Sequence, residues 1–205
     1  MEFSFTKDYI LENNSVRLTP LKTSHINSLL KISNDDFIWT YFFENGMGLS
    51  NLKKYVQNAL ENRVQKKEYP FIVFDKRTNQ FAGKTRLYEY SPELKTIKIG
   101  HTWYGKDFRN SHVNKNCKYL LFNFVFDKLQ LERVGFGAYA DNKISIKALK
   151  SVGCKQEGFL RNMFPSINGI GRTDAILMSI LKEEWQLEAK ENLKQKLKDY
   201  NHELC

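Results

Sequence analysis

The period of hydrophobic and polar positions changes several times along the chain, and each change predicts a new element. Apolar or alternating runs bounded by turn residues predict strands. These runs lie at 16–21, 69–75, 81–90, 96–104, 134–140 and 173–181, and a further strand follows Gly153 and ends at about Asn162. Apolar residues three and four positions apart predict helices. These helices lie at 23–32, 50–67, 113–129, 143–151 and 183–200. The segment 35–47 is aromatic and follows neither period, so we expect it to be irregular.

The order of these elements predicts a mixed α/β fold. The three strands between 69 and 104 follow one another through short turns, which predicts an antiparallel meander. A strand–helix–strand unit then runs from 96 to 140, and such a unit makes its two strands parallel. No repeat or linker divides the chain. We therefore expect one domain over 1–182, with 183–205 as a polar helical extension of the same domain.

Composition excludes several classes of protein. The chain is 41% hydrophobic and contains 15 Phe, 10 Tyr and 3 Trp, which supports a substantial core rather than a disordered chain. No apolar run approaches the ~18 residues that a membrane helix needs, and the N-terminus lacks the basic region of a secretory signal. The three cysteines have no metal or redox spacing. These features indicate a cytoplasmic protein without a membrane partner.

The formal net charge of +9 suits a nucleic acid, an acidic surface or an anionic ligand. The basic residues are spread along the chain, and the Lys-rich C-terminus is mixed with Glu and Asp. This spread favours a solvated surface that attracts an anionic cofactor, and it makes nucleic-acid binding the weaker alternative.

Two strand-to-helix junctions carry the polar residues that suit chemistry. The first is the turn from Gly105 (GKDFRNSHVN), which leads into a helix whose free N-terminal N–H groups favour a phosphate. At the second junction, Asn142 follows the strand, Ser145 lies in the first turn of the next helix, and Gly153 ends that helix.

These junctions resemble the GNAT superfamily of acetyl-CoA-dependent N-acetyltransferases, in particular the Rim-type branch that acetylates the N-termini of ribosomal proteins. The resemblance covers about 16–185 and is strongest between 99 and 161. It implies a mixed central sheet of six to seven strands flanked by helices, antiparallel in its first half, with a parallel pair splayed at the cofactor site. It also implies transfer of an acetyl group from acetyl-CoA to a primary amine by direct attack in a ternary complex, without a metal.

The first junction resembles the family loop Arg/Gln-x-x-Gly-x-Gly/Ala, whose amides hold the pyrophosphate of acetyl-CoA. Arg109 matches the first position, but His112 and Asn114 replace the two small residues, where glycine allows close approach and unusual dihedrals. The side chain of His112 is expected either to bind a phosphate or to lie on the surface at the helix start. The resemblance implies the cofactor-binding residues Trp103, Tyr104, Arg109, Asn110, Ser111, His112, Val113, Asn114, Asn142 and Ser145.

At the second junction the resemblance assigns Asn142 to the pantetheine arm and Ser145 to the sulfur, as general acid for the departing thiolate. The alternative is that both residues only cap the helix, and the two roles are compatible. The developing oxyanion would meet a backbone N–H near Trp103, where the family has a β-bulge, expected here at 101–103.

The general base is open. Many relatives have a carboxylate where this chain has Lys98. The candidates are Glu89, His101, whose ordinary pKa lies near neutrality, and a water molecule held by either. The alternative is that the amine loses its proton through water without a dedicated base. The histidines at 25, 101, 112 and 202 have no metal-ligand spacing, so no metal is expected.

The acceptor amine would be met by Trp39, Tyr41 and Phe42, together with the loop 164–170, although these aromatic residues also suit a core position. The amine could be a protein N-terminus, an aminoglycoside-like or other small cationic amine, or a polyamine. Asp35, Asp36 and Glu44 would give an acidic cleft for a cation. Two rival functions are an idle acyl-CoA-binding domain and, with less support, a nucleic-acid-binding module; the sequence leaves a homodimer open.

Overall fold

A computed structural model describes residues 2–202, with side chains through residue 200. The strands are β1 (Leu11–Glu12), β2 (Val16–Pro20), β3 (Glu68–Asp75), β4 (Gln80–Ser91), β5 (Thr96–Tyr104), β6 (Arg133–Tyr139), β7 (Lys155–Pro165) and β8 (Arg172–Leu181). The α-helices are α1 (Ile26–Ser33), α2 (Asp36–Trp39), α3 (Gly48–Val64), α4 (His112–Phe122), α5 (Lys143–Ser151), α6 (Lys182–Glu184) and α7 (Lys190–His202). Turns of 3-10 helix precede α1 and α4, and π-helical turns follow α4 and α6.

The strands form one eight-stranded sheet in the order β1-β2-β3-β4-β5-β6-β8-β7. Every neighbouring pair is antiparallel except β5 and β6, so the predicted mixed fold with one parallel pair is confirmed. The expected count of six to seven strands was too low. The additional strand, β1, pairs only Leu11 with Leu18 and Glu12 with Arg17, and two residues are too few to show an alternating pattern.

The parallel pair is joined over only part of its length. Thr96–Lys98 pairs with Arg133–Gly135, and no further pairs form between β5 and β6 over their described lengths. β5 nevertheless continues to Tyr104, and β6 continues to Tyr139. The C-terminal halves of β5 and β6 are therefore not paired with each other, and we call the space between them the splay gap.

β5 carries a bulge beside the splay gap. Arg86 of β4 pairs with Gly100, whereas Lys84, two residues earlier, pairs with Trp103, three residues later. One additional residue therefore lies on β5, and His101 takes a positive φ of 48°. The bulge expected at 101–103 is present.

Helices cover both faces of the sheet. α1, α2 and α3 pack on one face against Ile72 and Trp103. α4, α5 and the C-terminal helices pack on the other face with the larger core. There Trp185 is completely buried against Phe122 and Phe126. Residues 203–205 of the expected extension lie outside the described residues.

The segment 35–47 was wrongly expected to be wholly irregular. It contains the single-turn helix α2, whose N-cap Asp35 accepts a hydrogen bond from the backbone N–H of Phe37 at 3.0 Å. Four residues are too few for a helical period, so the pattern gave no signal. Gly46 then passes close to Trp39, because a Cβ at Gly46 would lie 2.4 Å from the indole ring.

Candidate active site

The first predicted junction forms a turn that ends at the start of α4. Ser111 is the N-cap: its hydroxyl donates to the carbonyl of Phe108 at 2.7 Å and accepts from the N–H of Val113 at 3.2 Å. The loop therefore follows β5 directly from the splay gap and presents the first turn of an eleven-residue helix. Such a helix start favours a negatively charged group.

The two departures from the family loop do not strain the backbone. The positive φ of this loop, 55°, falls on Asn110, and neither His112 nor Asn114 has a positive φ. The Asn114 side chain accepts a hydrogen bond from the hydroxyl of Tyr104 at 3.4 Å. Glycine is therefore not required for the dihedral angles at these two positions.

The His112 side chain lies inside the protein, so the expectation of a surface residue was wrong. Its Nε2 lies 3.0 Å from Asp75 Oδ1, and its ring contacts Tyr200 of α7. Burial and the positive charge of Arg77 lower the pKa of His112, and Asp75 opposes this shift. Because the ring contacts Asp75, we expect His112 to contact a cofactor only through its backbone.

The Arg109 side chain fastens the loop to α2. Its Nε donates to the carbonyl of Tyr104 at 3.1 Å, and its terminal nitrogen donates to Asp35 at 2.5 Å. The guanidinium also lies 4.4 Å from the ring centre of Phe37. Asp35 is thus taken by an ion pair, which removes it from the acidic cleft expected for a cationic amine.

The second junction has the expected local structure. Asn142 is the N-cap of α5, and its Oδ1 accepts a hydrogen bond from the N–H of Ser145 at 3.0 Å. The capping role of Asn142 is therefore present, and it leaves the amide nitrogen of this side chain outside the cap. The half-buried Ser145 lies in the first turn of α5, next to the end of β6.

A pocket of about 440 Å³ lies on the face of the sheet that α1–α3 cover. It brings two candidate bases, Glu89 and His101, together with Phe42. The pocket is also lined by Phe43, Glu44, Asn62, Lys67, Glu68, Arg86 and Tyr88. Because His101 belongs to the bulge of β5, this pocket adjoins the splay gap.

The two candidate bases differ in charge. Crowding by the surrounding side chains, with the positive charges of Arg86 and Lys84, lowers the pKa of His101 to about 3, although the residue is exposed to solvent. The expectation of a pKa near neutrality was therefore wrong. Glu89 is exposed and lies 2.6 Å from Lys98, the residue at the family's carboxylate position.

We expect His101 to remain neutral throughout the range from pH 8 to pH 5. The folded ring has a pKa of about 3, against about 6.5 for an unfolded histidine, so the unfolded chain binds more protons between these values. His101 therefore lowers the stability as the pH falls below about 6.5. NMR titration of the imidazole protons, assigned with His101→Gln, measures this pKa; a transition near pH 6.5 would contradict it.

The three predicted acceptor residues divide between core and pocket. Trp39 is buried, its ring contacts Tyr55 and Trp103, and its indole N–H donates to the carbonyl of Ser33 at 2.8 Å. Trp39 therefore occupies the core, as the alternative interpretation had it. Phe42 is half-buried and lies 6.1 Å from His101, between ring centres.

Tyr41 and Phe43 connect the pocket to the end of β6. The Tyr41 ring lies 5.5 Å from that of Tyr139, and Phe43 contacts both Tyr139 and Phe164. Tyr139 and Phe164 stack at 4.6 Å. The segment 41–43 and the start of the 164–170 loop thus meet where β6 ends.

Sequence reasoning missed a buried charged cluster formed by Glu68, Lys84 and Arg86. Glu68 and Arg86 form an ion pair whose side chains are 6% and 5% exposed. The buried Lys84 Nζ lies 4.2 Å from the ring centre of Tyr55 and has no hydrogen-bond partner in the described part of the chain. Burial, with Arg86, holds the pKa of Lys84 well below its usual value. Charged residues at alternate strand positions are typical of a solvent-exposed face, so the sequence pattern favours exposure of Lys84 and Arg86 rather than burial.

Residues 2–202 contain neither a metal-binding cluster nor a membrane-spanning helix. No group of three or more His, Cys, Asp or Glu side chains within this range is arranged to hold a metal ion. None of the helices in the same range is both long and apolar enough to cross a bilayer.

The comparisons with known proteins agree with this architecture. A family model described as "Acetyltransferase (GNAT) domain" matches residues 15–155. The Bacillus subtilis (strain 168) protein named "Putative ribosomal N-acetyltransferase YdaF" is 24% identical over 183 residues, which cover 85% of this chain and 94% of the relative. The chain belongs to the GNAT acetyltransferase family, and its domain is that of an N-acetyltransferase. The resemblance to this family is confirmed, and the name of this relative is consistent with the Rim-type branch.

Solved structures share the fold at low identity. A GCN5-related N-acetyltransferase from Brucella melitensis superposes with a TM-score of 0.85 at 24% identity, over 95% of this chain and 87% of that chain. The spermidine N-acetyltransferase of Vibrio cholerae, solved in complex with CoA and spermine, superposes with a TM-score of 0.69 at 18% identity, over 85% and 99% of the two chains.

Proposed function

We propose that the protein transfers an acetyl group from acetyl-CoA to a primary amine by direct attack in a ternary complex. The observation that carries the proposal is the splay gap. It is bounded by the bulge of β5 on one side and by Asn142 and Ser145 on the other, and a pocket adjoins it on the opposite face of the sheet. Two substrates could therefore meet there from the two faces.

The residues present suit coenzyme A. The unpaired backbone edges of β5 and β6 can hydrogen-bond the amides of a pantetheine arm, as a strand edge binds an added strand. The first turn of α4, with the backbone of Asn110, Ser111, His112, Val113 and Asn114, would hold the pyrophosphate. Trp103 and Tyr104 of β5 would line the arm, and Arg109 would keep the loop in place through Asp35.

When bound, acetyl-CoA supplies an activated acetyl thioester. The backbone N–H groups of the bulge near Trp103 would bind the carbonyl oxygen, and the Ser145 hydroxyl would hydrogen-bond the sulfur. The amide nitrogen of Asn142 would bind the arm while its oxygen caps α5. The lowered pKa of His101 weakens it as a base. We propose Glu89, which lines the same pocket, acting directly or through water, as the base.

The acceptor would enter the pocket lined by Phe42, with Tyr41 at its side. The relative named as a ribosomal N-acetyltransferase supports a protein N-terminus, and the neighbour named as a spermidine N-acetyltransferase supports a polyamine. Glu44 in the pocket wall would attract either cationic amine. We further propose a cytoplasmic location and keep 183–205 as an extension of the domain that packs through Trp185.

Ser145→Ala is expected to lower kcat about 100-fold, because the departing sulfur loses its hydrogen-bond donor. KM for acetyl-CoA and the melting temperature should change little, since the cap of α5 is the Asn142 side chain. Steady-state kinetics measure the effect. Ser151→Ala, at the other end of the same helix, is the matched control. Equal losses in the two variants would contradict the role of Ser145.

Asn142→Asp is expected to separate capping from cofactor binding. Aspartate caps a helix about as well as asparagine, so the free energy of unfolding should change by less than about 0.5 kcal/mol. The carboxylate cannot donate to the pantetheine arm, so the Kd for acetyl-CoA should rise about tenfold. Calorimetry and thermal unfolding measure the two quantities. Unchanged affinity would leave Asn142 with the capping role alone.

The proposed reaction is tested by a panel of amines with acetyl-CoA, followed by mass spectrometry of the products. The panel should hold peptides with free N-termini, spermidine and an aminoglycoside, and each is compared with its blocked form. We expect one class to gain a single acetyl group, with initial-rate lines that intersect, as in a ternary complex. Tight binding of acetyl-CoA without any acetylated product would favour the idle acyl-CoA-binding domain.

A further inference from the structure

A lysine on α4 lies buried at the splay gap without a counter-charge. The Lys118 side chain is nearly enclosed, at 4% exposure. Its Nζ donates to Thr102 Oγ1 at 3.4 Å and lies 5.6 Å from the ring centre of Phe136. Thr102 belongs to the bulge of β5, and Phe136 is the first residue of β6 beyond the paired segment. The ammonium therefore lies across the gap, on the side of α4.

The surroundings of Lys118 offer hydroxyls and thiols but no carboxylate. Thr102 Oγ1 lies 2.7 Å from Thr85 Oγ1, which extends the hydroxyl chain to β4. The nearest ionisable groups are Cys117 on α4 and Cys154 after α5, and burial raises the pKa of each thiol to about 12, so both are neutral at pH 7. Among the described residues, Lys118 makes no ion pair and no second hydrogen bond.

A buried ammonium with one hydrogen bond is costly unless a partner arrives. Burial lowers the pKa of Lys118 to about 8, so it is mainly protonated at pH 7. The proton shared most readily with such a group is that of a thiol, whose ordinary pKa is about 8.5. The place of Lys118, at the gap that the proposed function assigns to the thioester, makes the sulfur of coenzyme A the fitting partner.

We propose that Lys118 is a catalytic residue that binds the sulfur of coenzyme A and donates its proton to it. This inference rests on the proposed function and adds a second donor beside Ser145. As the carbon–sulfur bond breaks, an N–H bond of Lys118 breaks and an S–H bond forms. Lys118 is left as a neutral amine. The proton that the acceptor amine loses on becoming an amide replaces it through solvent, so protons balance.

Calorimetric titration with CoA and with desulfo-CoA, which lacks the sulfur, tests this role without an acceptor amine. Wild-type protein is expected to bind CoA about tenfold more tightly than desulfo-CoA at pH 8, because Lys118 and the sulfur share one proton in a charge-assisted hydrogen bond. At pH 8 the free lysine and the free thiol are each only partly protonated, so binding of CoA should release roughly a quarter of a proton, which is measured by repeating the titration in buffers of different ionisation enthalpy. Desulfo-CoA should release none.

Lys118→Met should remove both the preference and the proton release while leaving the affinity for desulfo-CoA unchanged. Its melting temperature should equal or exceed that of the wild type, because a buried unpaired charge is lost. Lys150→Met, an exposed lysine of α5, is the matched control and should behave as the wild type.

Three outcomes would overturn the proposal. Wild-type protein could bind CoA and desulfo-CoA equally, Lys118→Met could retain the preference, or it could lose affinity for both ligands alike. The first measurement needs no variant, so misfolding of Lys118→Met does not protect the proposal. If the wild type binds neither ligand, the proposed function is wrong as well. Equal binding of CoA and desulfo-CoA would contradict only the role of Lys118.

Discussion

Trp185→Ala is expected to lower the free energy of unfolding by about 3–5 kcal/mol, the usual cost of removing a buried tryptophan. The indole is completely buried, and its ring lies 5.3 Å from that of Phe122 and 5.8 Å from that of Tyr119, between centres. Its loss would leave a cavity between α4 and the C-terminal helices. Urea unfolding, followed by circular dichroism, measures the change.

The control for this substitution is Leu187→Ala, two residues further along the same turn. Leu187 is 79% exposed, so its truncation should change the free energy of unfolding by less than about 0.5 kcal/mol. Similar values for the two variants would show that the C-terminal segment does not pack as described. The same contrast tests whether 183–205 acts as part of the domain.

Glu68→Leu is expected to cost about 3–5 kcal/mol in stability, because it leaves the guanidinium of Arg86 buried without its counter-charge. The Nε and one terminal nitrogen of Arg86 already have no hydrogen-bond partner among the described residues. Asn62 would also lose the carboxylate oxygen that it contacts at 2.6 Å. Thermal and urea unfolding measure the loss.

The double variant Glu68→Leu/Arg86→Met separates the pair's mutual attraction from the burial of its charges. It should recover most of the stability lost in Glu68→Leu, since no uncompensated charge remains. A double variant as unstable as the sum of the single changes would show that the two side chains are not coupled. Because both residues line the pocket, a change of KM for the amine in the double variant would assign the pair to acceptor binding.

The sequence predicted the second junction well because its interactions are local. The Asn142 side chain accepts a hydrogen bond from a backbone N–H only three residues ahead, so the residues that form the cap are close together in the sequence. The bulge at His101 also lies within one predicted strand. Both elements belong to the region that matches the family model, residues 15–155.

The roles of His112 and Arg109 could not be predicted, because their partners are distant in the chain. His112 meets Asp75, 37 residues earlier, and Arg109 meets Asp35, 74 residues earlier. A local sequence pattern carries no information about such distant pairs, so the buried contact of His112 with Asp75 was not predicted. Only the folded chain brings these groups together, because it places the start of α4 beside the end of β3 and the preceding loop beside the start of α2.

Buried lysines escape sequence reasoning for a different reason. Lys84 and Lys118 are charged at neutral pH in water, and charge is the strongest indicator of exposure. Both are buried in this fold, and burial lowers the pKa of each. The position of Lys118 beside the splay gap becomes visible only when β5, β6 and α4 are assembled.

The most direct test of the account is a calorimetric titration of the purified protein with acetyl-CoA, compared with ATP. ATP offers phosphates to α4 but has no pantetheine arm for the splay gap. We predict micromolar binding of acetyl-CoA and binding of ATP that is at least about 100-fold weaker, a difference of about 2.7 kcal/mol. Equal affinities, or no binding of acetyl-CoA, would contradict the assignment of the splay gap as the acetyl-CoA site.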